Sequence, residues 1–396
     1  MTPSTGAWKA VSYEERQWHP AADVRDSSSP HLAAPGPYQA SVPPFIADLD
    51  VSLDPGSLSR AHDATTDLVR LDAELGRDGG AVIASLLRAE CIASSAIERV
   101  SAPALAVVLA EIDESLEPHA RQIVAHIRAD EVALSSPGPL DEDSIVHVQR
   151  TLMASSRPDR RGRWRSQQVW IGGGSRGPQR ASFVPPHESR VPELMSDLVA
   201  FMRRKDIPPL PQIAIAHAQY ETIHPFLEVN GRTGRALLQT LLRRSDVTQS
   251  AVLPLSAGIL QDTARYFDAL TQYRAGHVSG IIDMMSRAAH TAVDTSRMLM
   301  EDLEAVYDSW ETRLTARRGS AARRLLGLLE AHPAINSRTA VSYLGVTAPN
   351  ALLAIDRLVE DGILEQVGTG RRNRTWAAHD VLHALDALAE RARRQG

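Results

Sequence analysis

Thr222-Ile-His-Pro-Phe-Leu-Glu-Val-Asn-Gly-Arg-Thr-Gly-Arg-Ala-Leu-Leu238 is the stretch from which the rest of the chain can be read. Pro225 has no N–H with which to continue a helix, and Asn230-Gly231 is a turn signal. One helix therefore ends near His224 and another opens at Asn230. The first N–H groups of a helix lack partners within it, and its dipole favours negative charge there. Arg232 and Arg235, spaced i, i+3, fall on one face of that first turn. Two forked cations on a helix N-terminus make a polyphosphate cradle. Glu228, in the same loop, offers a carboxylate suited to holding Mg2+ against phosphate oxygens. His224 is the side chain here that takes up a proton near neutral pH. A lone His-Pro is commonly structural, and paired arginines usually form a solvated face. A base, a metal ligand, a phosphate turn and two arginines within 12 residues favour chemistry instead.

Composition narrows the setting. The chain has 396 residues, 43% hydrophobic and 23% charged, enough for two or three domains. Lys and Arg number 43 against 48 Asp and Glu, a net charge of −5 that argues against a polybasic nucleic-acid coat. With Cys91 as the one cysteine, neither a disulfide framework nor a cysteine-based zinc site is expected. No stretch approaches the roughly 18 uninterrupted apolar residues of a membrane helix. Met1-Thr-Pro-Ser-Thr-Gly-Ala-Trp-Lys9 lacks a basic segment followed by an apolar one. A cytoplasmic protein with no membrane partner is expected.

Prolines and serines crowd residues 1–55, which read as an irregular arm. Residues 56–115 are helical in pattern, with Ala61, Ala64, Leu68 and Leu71 and then Ile83, Leu86 and Leu87 at three- and four-residue steps. A core spanning 116–307 follows, in which Asp141-Glu-Asp-Ser opens a helix carrying Ile145, Val148 and Leu152. Within it, the β-prone runs Gln168-Val-Trp-Ile171 and Ser182-Phe-Val184 flank a Gly-rich turn, as in a β-hairpin flap or a surface loop. Residues 318–396 read as helix, helix, helix, hairpin, the order of a winged helix-turn-helix. Ser337 is placed as the cap of the second of these helices. The fold expected is mainly α.

His224-Pro-Phe-Leu-Glu-Val-Asn-Gly-Arg-Thr-Gly-Arg235 resembles the signature of Fic-domain proteins, His-Pro-Phe-x-Asp/Glu-Gly-Asn-Gly-Arg-x-x-Arg. Tyr38-Gln-Ala-Ser-Val-Pro-Pro-Phe-Ile46, the flap, Ala218-Gln-Tyr-Glu-Thr-Ile223 and Tyr266-Phe-Asp-Ala-Leu270 extend the resemblance. It implies a Fic helical core that transfers AMP from ATP, with Mg2+, to a Ser, Thr or Tyr hydroxyl of a target protein. His224 is then the base and Glu228 the metal ligand. Asn230 and the backbone of Gly231, Arg232, Thr233 and Gly234 bind α- and β-phosphate oxygens. Arg232 holds the β-phosphate, Arg235 the γ-phosphate, and Tyr266 borders the adenine. Phe226 anchors the loop, and the flap at Phe183 and Val184 pairs with the target peptide. UMP, phosphocholine or kinase-like transfer are the alternatives within the enzyme class. Dimerisation is a family-level expectation.

Two departures qualify the resemblance. Val229 stands where the signature has Gly, in a turn where a left-handed or closely approached backbone is expected. Either the turn adjusts and activity persists at a reduced level, or catalysis is lost; the first is the reading preferred. Ser94-Ser-Ala-Ile-Glu98-Arg99 resembles the Fic inhibitory motif, Ser/Thr-x-x-x-Glu-Gly/Asn, with Arg99 in the last place. That resemblance makes Glu98 an intramolecular brake that competes for Arg235, with removal of AMP from the target as a second activity. The C-terminal unit has 11 basic and 8 acidic residues from 318 to 396, and its third helix carries Asp356 and Glu360. DNA binding through Arg371, Arg372, Asn373 and Arg374 competes with protein interaction, which is slightly favoured. The rival reading of the whole is a DNA-binding transcriptional regulator with a degenerate nucleotide-sensing core. The remaining histidines, His217, His379 and His383 among them, are read as structural.

Overall fold

The computed structural model describes residues 8–19, 35–78, 80–112, 115, 117–135, 138, 140–154, 160–174, 177–368 and 374–394. In chain order the elements are β1 (Ser12–Trp18), β2 (Gly36–Val42), α1 (Pro55–Asp78), α2 (Gly80–Ile97), α3 (Ala104–Glu111), α4 (Pro118–Ser135) and α5 (Glu142–Leu152). There follow α6 (Val191–Met202), α7 (Pro209–Ile223), α8 (Asn230–Arg244), α9 (Leu255–Gln261), α10 (Thr263–Arg274) and α11 (Ser279–Arg313). The C-terminal part holds α12 (Ala321–Ala331), β3 (Ala334–Asn336), α13 (Ser337–Leu344), α14 (Ala348–Glu360), β4 (Glu365–Val367), β5 (Thr375–Ala377) and α15 (His379–Arg394). The chain is mainly α, as its periodicities lead one to expect. It divides into two compact units: Met1–Asp63 with Ala129–Arg244 and Ala264–Ser286, and Ala64–Arg128 with Ser245–Thr263 and Arg287–Gly396. The units interleave along the chain.

The first unit is built around α7. Every residue of that helix from Leu210 to Ile223 is buried, as befits a helix packed on all sides. α6 and α8 pack against it, and α5 packs against α8. α5 opens as its acidic turn predicts: Asp141 accepts from Ser144 N at 2.8 Å while its own N–H donates to Ser144 Oγ at 3.0 Å, a reciprocal capping box. Residues 1–55 are not irregular throughout, because β1 and β2 pair antiparallel from Ser12↔Val42 to Trp18↔Gly36. Pro37 is tolerated near the start of an edge strand, which is why the prolines of this stretch do not exclude a sheet.

The flap is less regular than expected. The pairing of its two runs is reduced to one antiparallel bridge, Ile171↔Phe183, followed by the 3-10 turns Pro178–Arg180 and Glu188–Arg190 on the descending side. Ser175 and Arg176 lie outside the described residues. The edge that a longer hairpin would use is already engaged: Ser41 N, on β2, donates to Val184 O at 3.0 Å.

In the second unit α2 is the central helix. Its 18 residues have a mean hydropathy of 1.4, long and apolar enough to cross a membrane by length and composition. The two charges it buries both have partners, however: Arg88 pairs with Glu111 at 2.7 Å, and Glu90 accepts from Ser256 N at 2.8 Å and from Ser256 Oγ at 2.6 Å, capping α9. Cys91, Ile92, Val107, Ile123 and Val124 form the cluster beside them. In the C-terminal part β3, β5 and β4 make a three-stranded sheet in that order. Two elements there, β3 and α15, are additional to the helix-helix-helix-hairpin expected. Asn336 rather than Ser337 caps α13, accepting from Thr339 N at 2.9 Å. The turn residues Arg371, Arg372 and Asn373 lie outside the described residues.

Candidate active site

α7 ends where the sequence places its stop. His224 is its C-cap, in the left-handed conformation (φ 52°, ψ 63°), with its N–H donating to Tyr220 O at 2.9 Å. The loop then turns through a buried Phe226, packed on Trp164 at 4.9 Å between ring centroids, and α8 opens at Asn230. Phe226 anchors the loop as expected.

Several loop residues work inwards. Asn230 Oδ1 accepts from Phe226 N and its Nδ2 donates to Phe226 O, both at 2.8 Å. Thr233 Oγ1 donates to Val229 O at 2.8 Å. These side chains shape the turn. Gly234 has a packing role as well. A Cβ there would meet Glu221 Oε1 at 2.7 Å and Tyr220 Cδ1 at 2.9 Å, so its missing side chain lets α8 approach α7. Gly231 stands at the helix N-terminus, where amides have no intrahelical partner. Arg232 and Arg235 extend from the same first turn and are buried, Arg235 to 2% exposure.

Val229 adopts φ 60°, the left-handed backbone expected at the signature's glycine. Its side chain packs against the cluster of Ala129, Ala133, Val148, Leu152 and Ala236. The methyl groups thus lie among helices.

The ionisable groups are arranged in depth. His224 is partly exposed, and its Nδ1 lies 3.8 Å from Oε2 of Glu221, which is buried one helical turn earlier on α7. Glu228 is exposed and pairs with Arg160 at 2.5 Å. A loop carboxylate that already attracts a cation fits a Mg2+ ligand, because Mg2+ is commonly held by one or two carboxylates together with substrate phosphates. Deeper, His217 Nε2 and Tyr266 OH lie 2.9 Å apart, both buried. Burial, followed by the nearby charge of Arg235, pushes the His217 pKa down to about 3, so this imidazole is neutral. Tyr266 therefore packs inside the site wall with its hydroxyl engaged.

Phe183 and Val184 were expected on a target-docking edge and are instead buried. The Arg274 guanidinium lies over the Phe183 ring at 3.7 Å, and Val184 packs with Tyr38 and Ala40. Ile171 takes up both Phe183 backbone groups. Ser94 and Glu98 belong to the second unit. Ser94 is buried on α2, and Glu98 follows the helix in an end where Arg99 N donates to Ala96 O at 2.9 Å and Val100 N to Ser95 O at 3.0 Å. Arg99, at φ 63°, fills the left-handed place that Gly or Asn takes most easily.

Sequence reasoning missed Arg165. It is 3% exposed and donates to His224 O at 2.9 Å, to Gln167 O at 3.2 Å and to Pro186 O, tying the loop to the flap. Burial lowers its pKa to about 10, which leaves it charged. In the sequence it is one arginine among four between 160 and 165 and reads as surface. Glu221, Arg160 and Arg274 were missed for the same reason: residue type alone does not reveal direction.

The sequence model of the Fic/DOC family matches residues 139–242. Protein adenylyltransferase fic-1 of Caenorhabditis elegans is 24% identical over 187 residues, 46% of this chain and 34% of that protein. Protein adenylyltransferase Fic of Nematostella vectensis is 26% identical over 155 residues, 38% of this chain and 33% of that protein. The matches span about a third of the length of these curated relatives. Among solved structures, a Fic family protein from Desulfovibrio desulfuricans G20 matches with a TM-score of 0.53 at 22% identity, covering 83% of this chain and 97% of that one. That likeness shows the fold. Residues 139–242, with the signature loop at the junction of α7 and α8, are thus the part of this chain that is similar to the Fic/DOC family.

Proposed function

We propose that the chain transfers AMP from ATP to a Ser, Thr or Tyr hydroxyl of a target protein. The observation that carries the reading is the loop itself: an imidazole at the end of α7, followed by a helix N-terminus bearing Arg232 and Arg235. The target oxygen attacks the α-phosphorus. An O–P bond forms, the bond to the bridging β-phosphate oxygen breaks, and pyrophosphate leaves. His224 takes the hydroxyl proton. With Nδ1 turned towards Glu221, Nε2 is the nitrogen that accepts it, and the Glu221 carboxylate stabilises the imidazolium that results. The α8 N-terminus and the two arginines offset the phosphate charge in an in-line displacement. Glu228 is the residue that would hold Mg2+, which when bound supplies further charge neutralisation on the phosphates. The names of the relatives, protein adenylyltransferases, support the reading.

Glu98 is proposed as an intramolecular brake on this reaction, on the strength of the Ser94–Glu98 motif at the end of α2. Removal of AMP from the target belongs to the same proposal. The C-terminal helices and sheet are proposed to be a winged-helix module for protein contact. α14 is the helix that would read bases, and its exposed side carries Leu353 (67% exposed), Asp356 and Glu360. Its arginine, Arg357, is paired with Asp361 and Glu360.

Labelled ATP tests the chemistry. Label on the α-phosphorus is expected to pass to protein and label on the γ-phosphorus is not. The reverse result would make the enzyme a kinase and overturn the proposal.

A further inference from the structure

Glu228, the exposed carboxylate of the signature loop, already has a cation on it. Arg160 Nη1 donates to Glu228 Oε1 at 2.5 Å, across 68 positions of chain. The segment that brings Arg160 there is anchored at both ends. Gln149, buried on α5, donates from Nε2 to Arg160 O at 3.4 Å and accepts from Gly162 N at 2.6 Å. Gly162 turns the chain at φ 68°, and a Cβ there would meet Arg150 Nε at 2.5 Å. At the other end, Arg165 N donates to Pro225 O at 2.9 Å, inside the signature loop. Residues 160–165 are thus laid along the loop, with Arg160 at its carboxylate.

The arginines of this segment have different partners. Arg165 donates to backbone carbonyls and Arg161 donates to Ala154 O at 3.2 Å, whereas Arg160 engages an acid. A pair this exposed is weak and exchanges readily. It cannot persist unchanged beside a metal ion on the same oxygen. Mg2+ takes carboxylate oxygens at about 2.0–2.1 Å, and two cations so close repel each other. With no cation at all, Glu228 would meet a triphosphate as a like charge, which disfavours binding.

We propose that Arg160 is the stand-in cation of this site: it neutralises Glu228 while metal is absent and yields the carboxylate to Mg2+ when the nucleotide binds. This rests on the reading of the loop as an ATP site with Glu228 as its metal ligand. Arg160 accordingly matters for the binding of metal-free ATP and little for that of ATP with Mg2+.

Calorimetry of ATP binding to the full chain, in EDTA and in MgCl2, tests the role with Arg160→Gln, Glu228→Gln and the two combined. Arg160→Gln is expected to bind ATP about fivefold more weakly in EDTA and within about twofold of the unaltered chain in MgCl2. In the Glu228→Gln background, Arg160→Gln is expected to change the EDTA affinity by less than about twofold, since no carboxylate is left to neutralise. Glu228 is exposed and Arg160 half-buried, so the variants should fold, which equal melting verifies. An EDTA affinity unchanged by Arg160→Gln overturns the proposal. A loss of the same size without Glu228 also overturns it, because Arg160 would then meet the phosphates directly. Both results leave the functional reading standing. A Mg2+ dependence of ATP binding undiminished in Glu228→Gln, by contrast, removes Glu228 as the metal ligand and overturns the assignment on which both readings stand.

Discussion

Val229 carries two opposing energies. Its left-handed backbone costs an L-residue about 1–2 kcal/mol, while its side chain gains contact with Ala133 and Leu152. Val229→Gly relieves the strain and forfeits the packing. Its stability in urea melts is expected to stay within about 1 kcal/mol of the unaltered chain. The rate of AMP transfer is expected to rise severalfold as the turn relaxes, and an unchanged rate would make the valine catalytically neutral. Glu221 is argued as a positioning residue, and kinetics separate that role from a structural one. Losing a carboxylate 3.8 Å from an imidazolium should lower kcat by roughly tenfold or more in Glu221→Gln and leave KM for ATP unchanged. Glu221→Asp should recover part of the loss. A rise in KM with kcat intact would contradict the assignment.

At the scale of elements, the contacts that align the loop are those between α7, α8 and the flap. Gly234→Ala drives a methyl group into Tyr220 and Glu221, and differential scanning calorimetry should show a loss of about 1–3 kcal/mol. Arg165→Met removes the buried donors that join His224 O to Pro186 O, and a denaturant titration should show about 2–3 kcal/mol lost. How much of this was legible depends on whether the cause is local. The α5 cap and the α7–α8 junction could be read because Asp141, Ser144, Pro225 and Asn230 act within a few residues of themselves. The flap could not, because Val184 finds its partner in Ser41, far along the chain. α15 has its own signal in Val381, Leu382, Leu385, Leu388 and Ala392, buried at three- and four-residue steps, and it was overlooked behind the hairpin. For the site, the residue types of the signature suggest the chemistry proposed here. The directions of Asn230, Thr233 and Gly234, all inward, come from tertiary packing and leave no mark on spacing.

Over the whole molecule, pH should act through His217. Its pKa is about 3 when folded and about 6.5 when unfolded, so the unfolded chain binds a proton first as pH falls. The stabilisation is complete above pH 6.5 and is lost as pH drops towards 3, by about 2 kcal/mol at pH 5. Denaturant midpoints at pH 7 and pH 5 should therefore differ less in His217→Gln than in the unaltered chain, and equal differences would exclude the histidine as the cause. The central claim, a braked adenylyltransferase, is tested most directly by incubation with α-labelled ATP and Mg2+ of the unaltered chain, Glu98→Gly, and Glu98→Gly with His224→Ala. The account predicts self-labelling that is weak in the first, strong in the second and absent in the third. Silence in Glu98→Gly that persists when Val229→Gly is added, or labelling that survives loss of His224, would contradict it.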